Sequence, residues 1–202
     1  PCLAEINLLD RGFKGGIGNA SRVLPAGLGG YTVGVLVQSN FGGVLRIDGV
    51  PIGELLGQLP FGEHLRGGIS CEDVDGSCMM IVATDAPLDS RNLRRLAMRA
   101  FMGLARSGGI ASNGSGDYVI AFSTAPQLRV PHAPEESLQS ATCLHNEFIS
   151  PLFLAAIEAA EEAIVNSLFA ATTTAGINGA VAPALPIDQV LSLMKRHGRL
   201  QA

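Results

Sequence analysis

Tryptophan is absent from this chain, and two tyrosines and eight phenylalanines bring the aromatic share to only 5% of 202 residues. A core with so few large rings must close by bringing backbones near one another. The 25 glycines, well above the usual ~7%, leave room for that. Charge is also scarce, at 16%, with 18 acidic against 14 basic side chains and the arginines scattered rather than massed. Such a balance lacks the electrostatic footprint of a nucleic-acid binder, so no nucleic-acid partner is expected. The cysteines (Cys2, Cys71, Cys78, Cys143) form no C-x-x-C pair, and none has a histidine at zinc-finger spacing. Neither a disulfide scaffold nor a structural metal site is expected; the four read as reduced, mostly buried thiols. The longest stretch without charge, Ala163 to Ile187, carries Asn166, Thr172, Thr173, Thr174, Pro183 and Pro186, a polar and helix-breaking load foreign to a membrane span. A soluble chain with no membrane partner is expected. The first residue is Pro1, with no basic and apolar leader after it, which reads as an incomplete N-terminus. The cytoplasm is the favoured location, and that start leaves the periplasm open.

What is present is ample core material: 47% of residues are apolar, which excludes intrinsic disorder and suits one domain. Residues 1–30 hold seven glycines and no sustained period, so loop with one short strand is expected there. The run from Tyr31 to Gln38, YTVGVLVQ, reads as a strand buried on both faces, ending at Ser39-Asn40-Phe41-Gly42-Gly43. Val44 to Ile47 followed by Asp48-Gly49 predicts a hairpin or sharp return, and residues 50–76 a glycine-rich, charged connection. Cys78 to Thr84 predicts a second apolar strand. An amphipathic helix follows, capped by Asp89 or Ser90, its apolar stripe formed by Leu93, Leu96, Ala97, Ala100, Phe101 and Leu104. Its arginines, Arg91, Arg94, Arg95, Arg99 and Arg106, read as a solvated outer face. A third strand is expected over Asp117 to Ser123, a long alanine-rich helix from Ser150 with Pro151 in its first turn, and a last helix over Asp188 to His197. Strands interleaved with long helices indicate layered α/β structure.

Few side chains suggest chemistry. His64, His132, His145 and His197 lie far apart and read as surface or structural residues. Gly15-Gly16-Ile17-Gly18-Asn19 has neither the spacing nor the lysine of a phosphate cradle. Glu161 and Glu162 read as solvated. Asp75-Gly76-Ser77 carries more information, because it delivers a serine to the first position of an apolar strand. The bland reading is turn chemistry. The functional reading is that the Ser77 hydroxyl attacks the Gly76 carbonyl, and hydrolysis of the ester leaves Ser77 as a new chain start. The freed α-amine, with an ordinary pKa of ~7.7–8, would be a base near neutrality, so nucleophile and base would share one residue. Asn40 could donate to a tetrahedral oxyanion. In Asn113-Gly114-Ser115-Gly116-Asp117, a hydroxyl and a carboxylate two residues apart could orient the nucleophile and its amine.

The segments FKGGIGNASRV, GGYTVGVLVQSNFGG, DGSCMMIVATDAPLDSRNLRRLAMRAFMGLARSGG, SNGSGDYVIAFSTA and NEFISPLFLAAIEAAEEAIVNSLFAATT resemble, in that order, the self-processing D-aminopeptidases and β-peptidyl aminopeptidases of the DmpA family. The resemblance implies a four-layer αββα sandwich, layered like the N-terminal nucleophile hydrolases and shared with ornithine acetyltransferases. It implies Ser77 as nucleophile, Asn40 as oxyanion donor, and Ser115 and Asp117 completing the catalytic group, with aspartate standing where the family has glutamate. It further implies cleavage between Gly76 and Ser77, giving fragments 1–76 and 77–202 of one catalytic domain. Small peptides, amides or esters are the implied substrates, no metal or organic cofactor is needed, and processed heterodimers are expected to form a homo-oligomer. Only twelve residues precede FKGGIG, whereas family precursors carry a long N-terminal portion with sandwich strands and an acidic residue for the substrate amine, so an N-terminally truncated member is expected. Ornithine acetyltransferase-like acyl transfer, normally on threonine, and an inactive remnant are the alternatives.

Overall fold

The computed structural model describes residues 9–10, 12–58, 76–134, 136–176, 179 and 181–200. Its centre is a four-stranded sheet in the order β3-β4-β5-β6, made of β3 (Ile17–Val23), β4 (Thr32–Asn40), β5 (Ser77–Thr84) and β6 (Tyr118–Ser123). β3 and β5 each pair antiparallel with β4, and β6 pairs parallel with β5. A parallel pair needs a crossover, supplied here by α2 (Ser90–Arg106). Asp89 caps that helix by accepting from the Asn92 N–H at 2.7 Å, as its position before the apolar stripe predicts. The alanine-rich α3 (Ser150–Phe169), with Pro in its first turn, lies beside α2 on the same side of the sheet. Smaller elements complete the fold: β1 (Leu9–Asp10) pairs with β2 (Phe13–Lys14), β7 (Thr174–Ala175) with β8 (Val181–Ala182), and α1 (Ile52–Leu55) approaches α4 (Ile187–Arg196).

Alternation decides which strand residues meet the helices. Val33, Val35 and Val37 on β4 and Cys78, Met80 and Val82 on β5 are buried beneath Leu96, Ala100, Ala156, Ala160 and Ile164. The opposite face carries Leu36, Met79, Ile81, Ile120 and Phe122, each at least 40% exposed. YTVGVLVQ is therefore buried on one face in this structure, rather than on both as its apolar run predicts. A second small core gathers Leu45, Ile47, Val50, Ile52, Leu168, Leu185, Val190 and Met194 beneath α4.

Several expectations need correction. The seven-residue β3 lies where mostly loop is expected, since Gly18, Asn19 and Ser21 dilute its period. Tertiary packing specifies that strand: a Cβ on Gly18 would meet the Ala163 carbonyl oxygen and lie 2.6 Å from the Ser167 nitrogen, so α3 sits directly on the strand backbone. Within Gly15-Gly16-Ile17-Gly18, Gly18 is thus a packing position. Gly103 on α2 makes the matching approach to α3, its Cβ position 2.7 Å from the Ala160 Cβ. The 44–47 run forms no strand; Asp48 (φ 47°) and Gly49 (φ 77°) make a tight return closed by one bridge, Ile47 to Val50. Glu161 and Glu162 are not merely solvated. Glu162 pairs with Arg22 at 2.6 Å and Glu161 with Arg106 at 3.5 Å. Burial lowers the pKa of Arg22, but hydrogen bonds to Glu162 and Glu158 together with the attraction of their charges leave it above its ordinary value. Nor are the α2 arginines wholly solvated, since Arg95 and Arg99 lie over the Phe153 ring, 5.1 and 4.0 Å from its centroid. Cys78 is buried and Cys143 half-buried, while Cys2, Cys71 and His64 lie outside the described residues. Among the described residues no helix is long and apolar enough to cross a membrane.

Gly18→Ala is expected to destabilise the fold by about 1–3 kcal/mol through overpacking. Gly27→Ala, where nothing lies within 4 Å of the added methyl, should stay within about 0.5 kcal/mol. Urea midpoints of the two variants check the contrast.

Candidate active site

One end of the sheet collects the residues singled out for chemistry. Asn40 is the last residue of β4 and Ser77 the first of β5, and they are register partners. Their two-residue spacing from Gln38 and Met79 puts both side chains on the sheet face away from the helices. Because β6 runs parallel to β5, its leading loop arrives at the same end, and Ser115, Gly116 and Asp117 lie there.

Hydrogen bonds tie this loop to the start of β5. The Gly116 N–H donates to Ser77 Oγ at 3.1 Å. One Asp117 carboxylate oxygen accepts from the Cys78 N–H at 2.7 Å, and the other from Ser115 Oγ at 2.7 Å. Ser115 has one proton and two lone pairs; with the proton committed to Asp117, its oxygen is left as an acceptor, which suits an ammonium neighbour. The Gly116 N–H in turn can stabilise negative charge developing on Ser77 Oγ. Ser77, Asn40, Ser115 and Asp117 are all half-buried.

Glycine at 76 and 116 has a steric cause. A Cβ on Gly76 would meet the Asn40 carbonyl oxygen and lie 2.6 Å from the Phe41 Cα. One on Gly116 would lie 3.2 Å from Ser77 Oγ and 3.3 Å from the Tyr118 ring. Farther back, the segments leaving Asn40 and leading to Ser115 cross in close contact. Gly43 bridges to Gly109, the Arg46 N–H donates to the Ser107 carbonyl at 3.0 Å, and Cβ positions on Gly43 and Gly108 would collide with the Gly108 and Val44 carbonyl oxygens.

The sequence reading missed the Gly116 amide, because a backbone donor has no side-chain signature; glycine between a serine and an aspartate is its only trace. Asp75 falls outside the described residues. His132 and His145 are exposed, and His197 Nδ1 lies 2.9 Å from the Leu193 carbonyl at the end of α4. Among the described residues no group of histidine, cysteine and carboxylate could hold a metal ion.

A family model described as Peptidase family S58 matches residues 9–182. The chain belongs to this peptidase family. Two beta-peptidyl aminopeptidases resemble it: that of Sphingosinicella microcystinivorans is 42% identical over 199 residues, covering 95% of this chain and 50% of that protein. That of Sphingosinicella xenopeptidilytica is 40% identical, covering 91% and 47%. Among solved structures, a beta-aminopeptidase from a Burkholderia species is 39% identical with a TM-score of 0.81, covering 96% of this chain and 52% of that one. The L-aminopeptidase D-Ala-esterase/amidase of Ochrobactrum anthropi, described as a prototype for the serine aminopeptidases and a new variant of the Ntn hydrolase fold, is 34% identical with a TM-score of 0.79, covering 96% and 51%. The chain spans about half the length of these relatives, and over that half its α/β architecture with a mixed sheet is similar to the two solved structures.

Asp117→Ala would strip the acceptor from the Cys78 amide and the Ser115 hydroxyl together. The expected loss is about 1–3 kcal/mol, read from the denaturation midpoint, with Asp117→Glu losing less.

Proposed function

We propose that this chain is the catalytic part of a self-processing serine aminopeptidase that cuts itself between Gly76 and Ser77 into fragments 1–76 and 77–202. The observation that carries the reading is the meeting of Ser77, at the first position of β5, with Asn40 across the ladder and with the Gly116 amide and Ser115–Asp117 pair from the β6 loop.

The reaction balances without a cofactor. Ser77 Oγ attacks the Gly76 carbonyl carbon, with the Asn40 amide donating to the oxyanion and the Gly116 N–H supporting the nucleophile. The C–N bond breaks, the serine proton ends on the Ser77 nitrogen, and an ester joins Gly76 to Ser77 Oγ. Water hydrolyses this ester, leaving a Gly76 carboxylate and a free amine on Ser77. In turnover that amine takes the Oγ proton as Ser77 attacks the carbonyl of a substrate's first residue and delivers it to the departing amine; water, giving a proton to the Ser77 amine, then hydrolyses the acyl ester, and Ser77 Oγ leaves with that proton restored. Ser115, its own proton held by Asp117, accepts from the amine and orients it. The peptidase family supports peptide substrates, and small peptides, amides or esters fit a site open at the sheet end.

The same reading accounts for the uncovered sheet face. Leu36, Met79, Ile81, Ile120 and Phe122 are apolar enough to be the inner surface of a four-layer αββα sandwich, and a second sheet placed there would bury YTVGVLVQ on both faces. Processed heterodimers would then associate as a homo-oligomer.

Wild-type protein is expected to resolve on a denaturing gel into two bands, the smaller one, 1–76, ending at Gly76 and the larger one, 77–202, starting Ser-Cys-Met, while Ser77→Ala stays a single chain. An unprocessed wild type by mass spectrometry would defeat the reading. Gly76→Ala, which pushes the scissile carbonyl away from Asn40 and Phe41, should slow self-cleavage about 100-fold, the penalty of a misplaced reacting group. Turnover of an aminoacyl p-nitroanilide should fall as pH drops through the amine pKa of ~7.7–8, because only the unprotonated amine can act as base.

A further inference from the structure

Two buried hydroxyls that take no part in these steps stand directly behind them. Ser39 and Ser167 are 0% and 2% exposed, within an otherwise apolar contact between β4 and α3. A hydroxyl there is costly unless it is partnered. The two oxygens lie 2.7 Å apart, Ser167 Oγ donates to the Ile164 carbonyl at 2.7 Å, and the Gly16 N–H approaches Ser39 Oγ at 3.3 Å. With one proton on each hydroxyl, both short contacts are satisfied only if Ser39 donates to Ser167 and Ser167 to Ile164. The lone pairs of Ser39 are then left for the Gly16 amide, and its 3.3 Å approach to the Gly16 carbonyl oxygen carries no proton. This directed chain joins α3, β4 and the segment entering β3. The glycines make it reachable, since a side chain at position 18 would strike the Ser167 backbone.

The chain closes one residue before Asn40, on the opposite side of the strand. Asn40 is the last rung of β4 and stands between two buried neighbours, Ser39 on the strand and Phe41 in the core just past it, so its own side chain is aimed by how those two are seated. Successive side chains project to opposite faces; fixing Ser39 against α3 therefore sets the pleat from which the Asn40 side chain extends toward Ser77. We propose that Ser39 and Ser167 are positioning residues that aim the Asn40 amide at the developing oxyanion. This rests on the reading of Asn40 as the oxyanion donor.

The test is a double-mutant cycle on the expressed protein, following both the appearance of the fragment starting at Ser77 and the hydrolysis of an aminoacyl p-nitroanilide. Ser39→Ala should lower kcat on the order of 10-fold, as a misaimed group does, with KM little changed, and should have no further effect in an Asn40→Ala background. Ser167→Ala removes the same support from the helix side and should act likewise, so one variant that fails to fold leaves the other to decide. A full Ser39→Ala or Ser167→Ala loss in the Asn40→Ala background, or a lowered melting temperature with kcat unchanged, overturns the proposal while leaving Asn40 in its role. An Asn40→Ala variant as active as wild type overturns the role of Asn40 and the proposal with it.

Discussion

The antiparallel pairing of β4 with β5, in the register that sets Asn40 opposite Ser77, is the constraint on which the rest of the site depends. A slip of β5 by one residue would turn Ser77 toward the helices and bring Cys78, now buried, to the face that carries Asn40. The register is held by the alternation of Val33, Val35 and Val37 with Cys78, Met80 and Val82 beneath α2 and α3. The same apolar pattern that folds the sheet therefore places Asn40 and Ser77 together at its end.

The third contribution follows from strand direction. Had β6 run antiparallel to β5, its leading loop would reach the far end of the sheet. The α2 crossover returns the chain so that β5 and β6 start together, which brings Gly116 and Asp117 within hydrogen-bond reach of Ser77 and Cys78. Glycine at 43, 103 and 108 serves the same end, allowing loops and helices to approach more closely than side chains permit.

Most of the helices and the three apolar strands were legible in the sequence, because Asp89, Pro151 and the leucine spacing of α2 are local signals. β3 was not, since IGNASRV has little strand character of its own and is held by the α3 backbone against Gly18. The apolar run YTVGVLVQ promised burial on both faces, and the described structure covers one. Ser77, Asn40, Ser115 and Asp117 stood out in the sequence through side-chain chemistry and resemblance, and the fold brings them to one end of the sheet. The Gly116 donor and the Ser39–Ser167 pair did not stand out, because a peptide N–H has no signature and serines 128 residues apart meet only in three dimensions.

The position of the proposed junction also sets how the machinery is inherited. Ser77, Ser115 and Asp117 travel with the downstream piece and Asn40 with the upstream one, so neither product owns a whole site. Eight rungs of the ladder, Val33 with Thr84 through Asn40 with Ser77, span that division. Cleavage at that point would leave two polypeptides held only by a noncovalent seam, and conditions that melt the seam would part Asn40 from Ser77 without altering either side chain.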